Sequence, residues 1–80
     1  MQIEVRLFAL LAQYLPPGSV GDGASLDVPA GTTVEEVVER LKIPAELSCM
    51  TVVNGHDAPP SQVLAPGDVL SMFPPLAGGV

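Results

Sequence analysis

One segment sets the problem that the rest of this chain must solve. Thr32-Thr33 is followed three residues later by Glu35-Glu36, and Val34, Val37, Val38 and Leu41 recur on a single helical face. A threonine N-cap answered by a glutamate three residues on, ahead of an apolar stripe, opens an amphipathic helix. Its acidic residues come early and Arg40 and Lys42 come late, the order the helix macrodipole favours, and Pro44 limits its extension. The chain therefore has one good apolar helix face, which must be covered largely by strands.

From Gln2 to Leu7 the sequence alternates strictly, with Ile3, Val5 and Leu7 on one face and Gln2, Glu4 and Arg6 on the other. The period then changes: Phe8, Leu11, Ala12 and Leu15 fall at helical spacing until Pro16-Pro17-Gly18 stops them, which predicts a short helix after the first strand. A connection rich in Gly, Ser and Asp leads to Ser25–Val28, a brief strand ended by Pro29 and Gly31. Cys49 to Val53 is β-prone and runs into Asn54-Gly55, a pair suited to a tight reversal. After Pro59-Pro60, Val63-Leu64 precedes the turn signal Pro66-Gly67-Asp68, and Val69 to Phe73 is the last apolar strand. In that strand Leu70 and Met72 share one face, and Val69, Ser71 and Phe73 share the other. The expected class is α+β, a mixed sheet packed on one main amphipathic helix, with a short helix after the first strand.

Eighty residues without an internal repeat leave room for one domain and a small core. With only three aromatic residues, Phe8, Tyr14 and Phe73, that core must be mostly aliphatic. A formal charge of -6, with Arg6, Arg40 and Lys42 scattered, argues against nucleic acid as a partner and suits a partner with a basic face. The apolar run Leu7–Ala12 is far shorter than the roughly 20 residues of a membrane span, and no secretory cleavage pattern follows it, so no membrane partner and a cytoplasmic location are expected. No Cys or His cluster has metal-ligand spacing. Cys49, without a basic neighbour, reads as a packed small hydrophobe, and His56 beside Asp57 as a solvated loop residue. Glu35, Glu36 and Glu39 read as capping or solvent-facing groups. No combination of nucleophile, base and pocket is visible, so catalysis by the domain alone is not expected.

Several segments together resemble the MoaD/ThiS family of ubiquitin-like sulfur carriers, and most of all the small subunit of molybdopterin synthase. They are Val5-Arg6-Leu7-Phe8-Ala9 running into a helix, Gly31-Thr32-Thr33-Val34 opening the main helix, Val53-Asn54 ending a strand, Leu64 with Pro66-Gly67-Asp68, and Phe73-Pro74-Pro75-Leu76-Ala77-Gly78-Gly79 closing the chain. The resemblance implies a ubiquitin-like β-grasp over 1–73, with the first and last strands parallel at the centre, and a flexible tail over 74–80. It also implies a carrier cycle with no bound cofactor. An adenylating enzyme of the ubiquitin-activating type uses ATP to activate the carboxylate of Gly79, sulfur replaces AMP to give a thiocarboxylate, and a second partner consumes it. In the molybdopterin branch that partner is the large synthase subunit, and the chain would be the small, sulfur-carrying subunit of the complex.

The tail also has a physical logic of its own. Gly78-Gly79 lacks Cβ atoms and can thread a narrow channel in another protein, while Pro74-Pro75 fixes φ at its base and projects it as a stalk. The residues expected to meet a partner are Val69, Phe73, Pro74, Pro75, Leu76 and Ala77, with Gly78 and Gly79 at the reacting end. Val80 departs from the family pattern by following the diglycine, so removal by a peptidase is the expectation. The alternatives are a ubiquitin-like modifier that joins its processed glycine to a lysine, and a binding domain with an inert tail.

Overall fold

The computed structural model describes residues 1–16, 19, 21, 23–44 and 50–74. Its strands are β1 (Gln2–Leu7), β2 (Gly23–Asp27), β3 (Met50–Val53), β4 (His56–Asp57) and β5 (Val69–Phe73), and its one α-helix is α1 (Val34–Arg40). They form a five-stranded sheet in the order β2-β1-β5-β3-β4. β1 and β5 are parallel neighbours at its centre, from Glu4↔Val69 to Leu7↔Met72, and the other pairs are antiparallel. This is the central pairing that the resemblance to the β-grasp implied.

The alternation read from the sequence decides which face is covered. Ile3, Val5 and Leu7 of β1 and Leu70 and Met72 of β5 are buried in one cluster with Val34 and Val37 of α1 and Leu41 at its C-cap. Val38, expected on the same helical stripe, packs at the margin of that cluster. Leu11, Val28, Ile43, Val53, Ala58 and Leu64 close the cluster from the connections and strand ends.

Between the two candidate caps, Thr33 is the one used: its hydroxyl accepts from the Glu36 N–H (3.3 Å), and the Glu36 carboxylate accepts from the Thr33 N–H (2.9 Å). The loop after β4 satisfies two more donors of the first turn, Val34 N–H to Gln62 (3.0 Å) and Glu35 N–H to Pro60 (2.9 Å). At the other end Lys42 takes a left-handed backbone (φ 62°), its N–H donates to Glu39 and the Ile43 N–H donates to Val38. These two bonds are the Schellman closure of a helix, with lysine in the position usually given to glycine.

The short helix expected after β1 is present as a 3-10 helix, Ala9–Tyr14, in which Leu11 alone is buried, so its apolar stripe is narrower than the i, i+3, i+4, i+7 spacing predicts. It is entered through Ala9 at φ 54°, which breaks the helical period before it begins. β2 covers Gly23–Asp27 instead of Ser25–Val28 because its register with β1 runs from Gln2↔Asp27 to Arg6↔Gly23. His56 and Asp57 form the short edge strand β4, reached through the tight Asn54-Gly55 turn in which both residues have positive φ (53° and 86°), so His56 is exposed but paired with Val53. Cys49 lies outside the described residues.

Replacing Leu70 with Ala should lower unfolding free energy by about 2–5 kcal/mol, and Thr33→Ala by about 1 kcal/mol. Lys42→Gly should raise it by about 0.5–1 kcal/mol by relieving the left-handed backbone. Urea melts of the three variants check the signs together.

Candidate functional site

The outward face of β5 carries the residues that the sequence marks for a partner. The parallel ladder continues one residue past β1, since the Phe8 N–H donates to the Met72 carbonyl (3.2 Å). Alternation then turns Phe8 and Phe73 to the same, uncovered side of the sheet, opposite buried Leu7 and Met72. Their rings stack at a centroid distance of 4.7 Å and an interplanar angle of 3°. Across the antiparallel pair, Met50 of β3 sits opposite Phe73. Phe8, Phe73 and Met50 thus form an apolar row over three adjacent strands, with Met50 53% and Phe73 37% exposed. The chain leaves the sheet through Pro74 next to this row.

The row is placed by the core and adds little to it. Leu70 and Met72 anchor β5 from beneath, so Phe73 is presented without being needed for burial. The stack itself is worth about 0.5–1.5 kcal/mol beyond area burial. Exposed apolar side chains grouped at one end of a sheet are what a partner can desolvate.

Val69 belongs elsewhere. It is half-buried at the opposite end of β5, where its N–H donates to the Asn54 side-chain oxygen (2.9 Å) and its carbonyl accepts from the Asn54 N–H (2.9 Å). The Asn54 amide also donates to Asp68 (2.9 Å), whose second oxygen accepts from the Ala65 N–H (2.8 Å). Asn54 and Asp68 thereby tie the β3–β4 turn to the Pro66-Gly67-Asp68 turn, far along β5 from the exit. Between the two ends the same face is polar, with Arg6 Nε 2.6 Å from Glu4 Oε2, an exposed pair of small energetic weight.

Sequence reading missed Phe8 and Met50. Phe8 fits the apolar stripe of a helix by spacing, but the strand alternation Gln2, Glu4, Arg6 also continues to it. Met50 is found only once the β3–β5 register is known.

The remaining chemistry is sparse. An open groove of about 380 Å³ is lined by Met50, Thr51, Asp57, Ala58 and Pro59. Its one hydroxyl, on Thr51, donates to the Ala58 carbonyl (2.7 Å). Among the described residues no three His, Cys, Asp or Glu side chains are grouped to hold a metal ion. No helix among them is long and apolar enough to cross a membrane. Pro75, Leu76, Ala77, Gly78, Gly79 and Val80 lie outside the described residues, so of the expected tail only Pro74 is placed.

Similarity to known proteins agrees with this geometry. A model of the ThiS family matches residues 5–79. Among solved structures, SAMP1 from Haloferax volcanii is 27% identical, with a TM-score of 0.75 over 99% of this chain and 100% of that one. The Pyrococcus furiosus protein assigned as molybdopterin converting factor subunit 1 is 25% identical, with a TM-score of 0.72 over 94% and 98%. The complex of molybdopterin-converting factor subunits 1 and 2 from Helicobacter pylori, at 24% identity and a TM-score of 0.62 over 99% and 100%, shares the fold. No curated protein matches the chain significantly.

The stack gives a direct check. A double-mutant cycle of Phe8→Ala and Phe73→Ala should return a coupling of about 0.5–1.5 kcal/mol in chemical denaturation. A coupling near zero would mean that the rings do not interact in solution.

Proposed function

The chain belongs to the ThiS family, and from that premise we propose that it is a sulfur carrier whose C-terminal glycine is the working group. The observation that carries this reading is that the family match runs through Gly78-Gly79, just beyond an exposed aromatic row at the exit of the last strand. Such a row gives an activating enzyme a surface to hold while the narrow diglycine enters its active site.

The chemistry is carried by partners. An adenylating enzyme of the ubiquitin-activating type joins the Gly79 carboxylate to the α-phosphate of ATP, with release of pyrophosphate. A sulfide equivalent then attacks the acyl carbon, the bond to AMP breaks and AMP leaves, giving a thiocarboxylate. A second partner takes the sulfur, water supplies the replacing oxygen, and Gly79 returns to a carboxylate. Likeness to a converting factor subunit 1 favours molybdopterin as the destination, molybdopterin synthase large subunit as the second partner, and a cytoplasmic setting. The domain contributes rigid presentation and is not itself the catalyst. Val80 must first be removed, by a peptidase in this reading, because activation on a β-branched residue would place a side chain where the channel accepts glycine.

The second reading is a protein modifier, favoured by the likeness to SAMP1, small archaeal modifier protein 1 of Haloferax volcanii. Both readings require an activated Gly79. They part at the product, a thiocarboxylate or an amide with a lysine.

Intact mass of the untagged protein from its native cells is expected to show loss of Val80 and a fraction heavier by the difference between sulfur and oxygen. A single species retaining Val80 would contradict both readings. Phe73→Ser should raise the KM of the activating enzyme for the processed chain about tenfold, the usual effect of removing an exposed aromatic anchor, with the urea midpoint little changed.

A further inference from the structure

The apolar row sets where a partner can hold this domain but not which way round, because apolar contact carries little directional information. The next row of the open face does carry it. The strand registers set Gly23, Arg6, Ser71, Val52 and Asp57 side by side across all five strands. Directly opposed residues share a face, here the one away from buried Leu70 and Met72. Arg6 and Asp57 are both exposed. They stand three strand spacings apart, about 14 Å, beyond the roughly 8 Å over which surface charges act at physiological salt. Neither cancels the other, so the row has a positive end on β1 and a negative end on β4. Of the three basic residues in the chain, Arg6 alone lies on the sheet, since Arg40 ends α1 and Lys42 follows it. Gly23 and Ser71 on either side of Arg6 are small and leave its head open. Glu4, one step farther from the aromatic row, takes only the Nε–H, and among the described residues nothing accepts from the two Nη groups. The guanidinium is thus held by one edge and keeps donors for a second carboxylate. Asp57 shares the rim of the open groove with Met50, and neither ion pair among the described residues involves it.

We propose that Arg6 and Asp57 are specificity-determining residues, a two-point charge pattern that fixes the orientation of this domain on its activating enzyme. That enzyme presents a carboxylate to Arg6 and a cationic side chain to Asp57, about 14 Å apart, alongside the pocket that takes the aromatic row. The inference rests on the reading of Phe8, Phe73 and Met50 as the surface the enzyme holds. A chain of net charge -6 is drawn to any basic surface, so total charge cannot select one partner. Position can: a uniformly basic surface would repel Arg6, and a surface with the two charges exchanged would meet like charge at both ends.

The test measures KM for the processed chain, ending at Gly79, in ATP–pyrophosphate exchange by the adenylating enzyme from its native cells. Arg6→Glu and Asp57→Lys are compared with Arg40→Glu and Glu39→Lys, which change net charge by the same amounts on α1. Each substitution in the row is expected to raise KM about tenfold, with kcat unchanged and the urea midpoint little moved, while the α1 variants stay within about twofold of wild type. The sign for Arg6→Glu is diagnostic, because it makes the chain more acidic and yet weakens binding, the reverse of attraction to a basic surface. Arg6→Gln and Asp57→Asn, which remove charge while keeping most of the shape, should raise KM by a smaller factor in the same direction. Row variants that merely follow their α1 controls overturn the proposal and assign the effect to net charge. Unchanged KM in both row reversals, with Phe73→Ser still raising it, overturns the proposal and leaves the aromatic row as the docking surface. If Phe73→Ser also leaves KM unchanged, or the wild type supports no exchange, the underlying reading is refuted and this inference falls with it.

Discussion

The parallel pairing of β1 with β5 is the constraint on which the rest of the structure depends. It joins the two ends of the chain, Glu4↔Val69 through Leu7↔Met72, and places Val5, Leu7, Leu70 and Met72 side by side in the core. A one-residue slip would turn Leu70 and Met72 to the open face, so burial enforces the register. The same register, by alternation alone, sets Phe8 beside Phe73 and directs the chain out of the sheet at Pro74. Core packing and functional presentation are two faces of one strand.

The two ends of β5 are built differently. Where it begins, Asn54 and Asp68 hold two turns together through side-chain and backbone hydrogen bonds, and Val69 is part of that tie. Where it ends, the exposed residues are apolar and contribute little to the core. This division suits the proposed carrier role, which needs a firm domain and an exit that others can grip.

Much of the fold was legible because local signals agreed. A threonine–glutamate capping box at the start of α1, the alternation of β1, the Asn54-Gly55 turn and the shared face of Leu70 and Met72 each follow from spacing of side chains a few residues apart. What spacing could not supply was pairing between distant segments, so Met50 went unnoticed and Val69 was grouped with Phe73. Phe8 was hidden for another reason: it fits both the last step of the strand and the first step of a helix. The structure assigns it to the strand through its hydrogen bond to Met72. The segment that follows is helical as its spacing predicts, but it is a 3-10 helix with one buried residue, a distinction that apolar spacing does not resolve.

The central claim is that a partner grips the Phe8–Phe73–Met50 row while the tail is activated. The most direct measurement is amide chemical-shift mapping of the processed chain during titration with its adenylating enzyme and ATP. The account predicts that perturbations concentrate at Phe8, Met50, Phe73 and Pro74's neighbours, with α1 and β2 unmoved. Perturbations concentrated on α1 or β2, with the aromatic row silent, would contradict it.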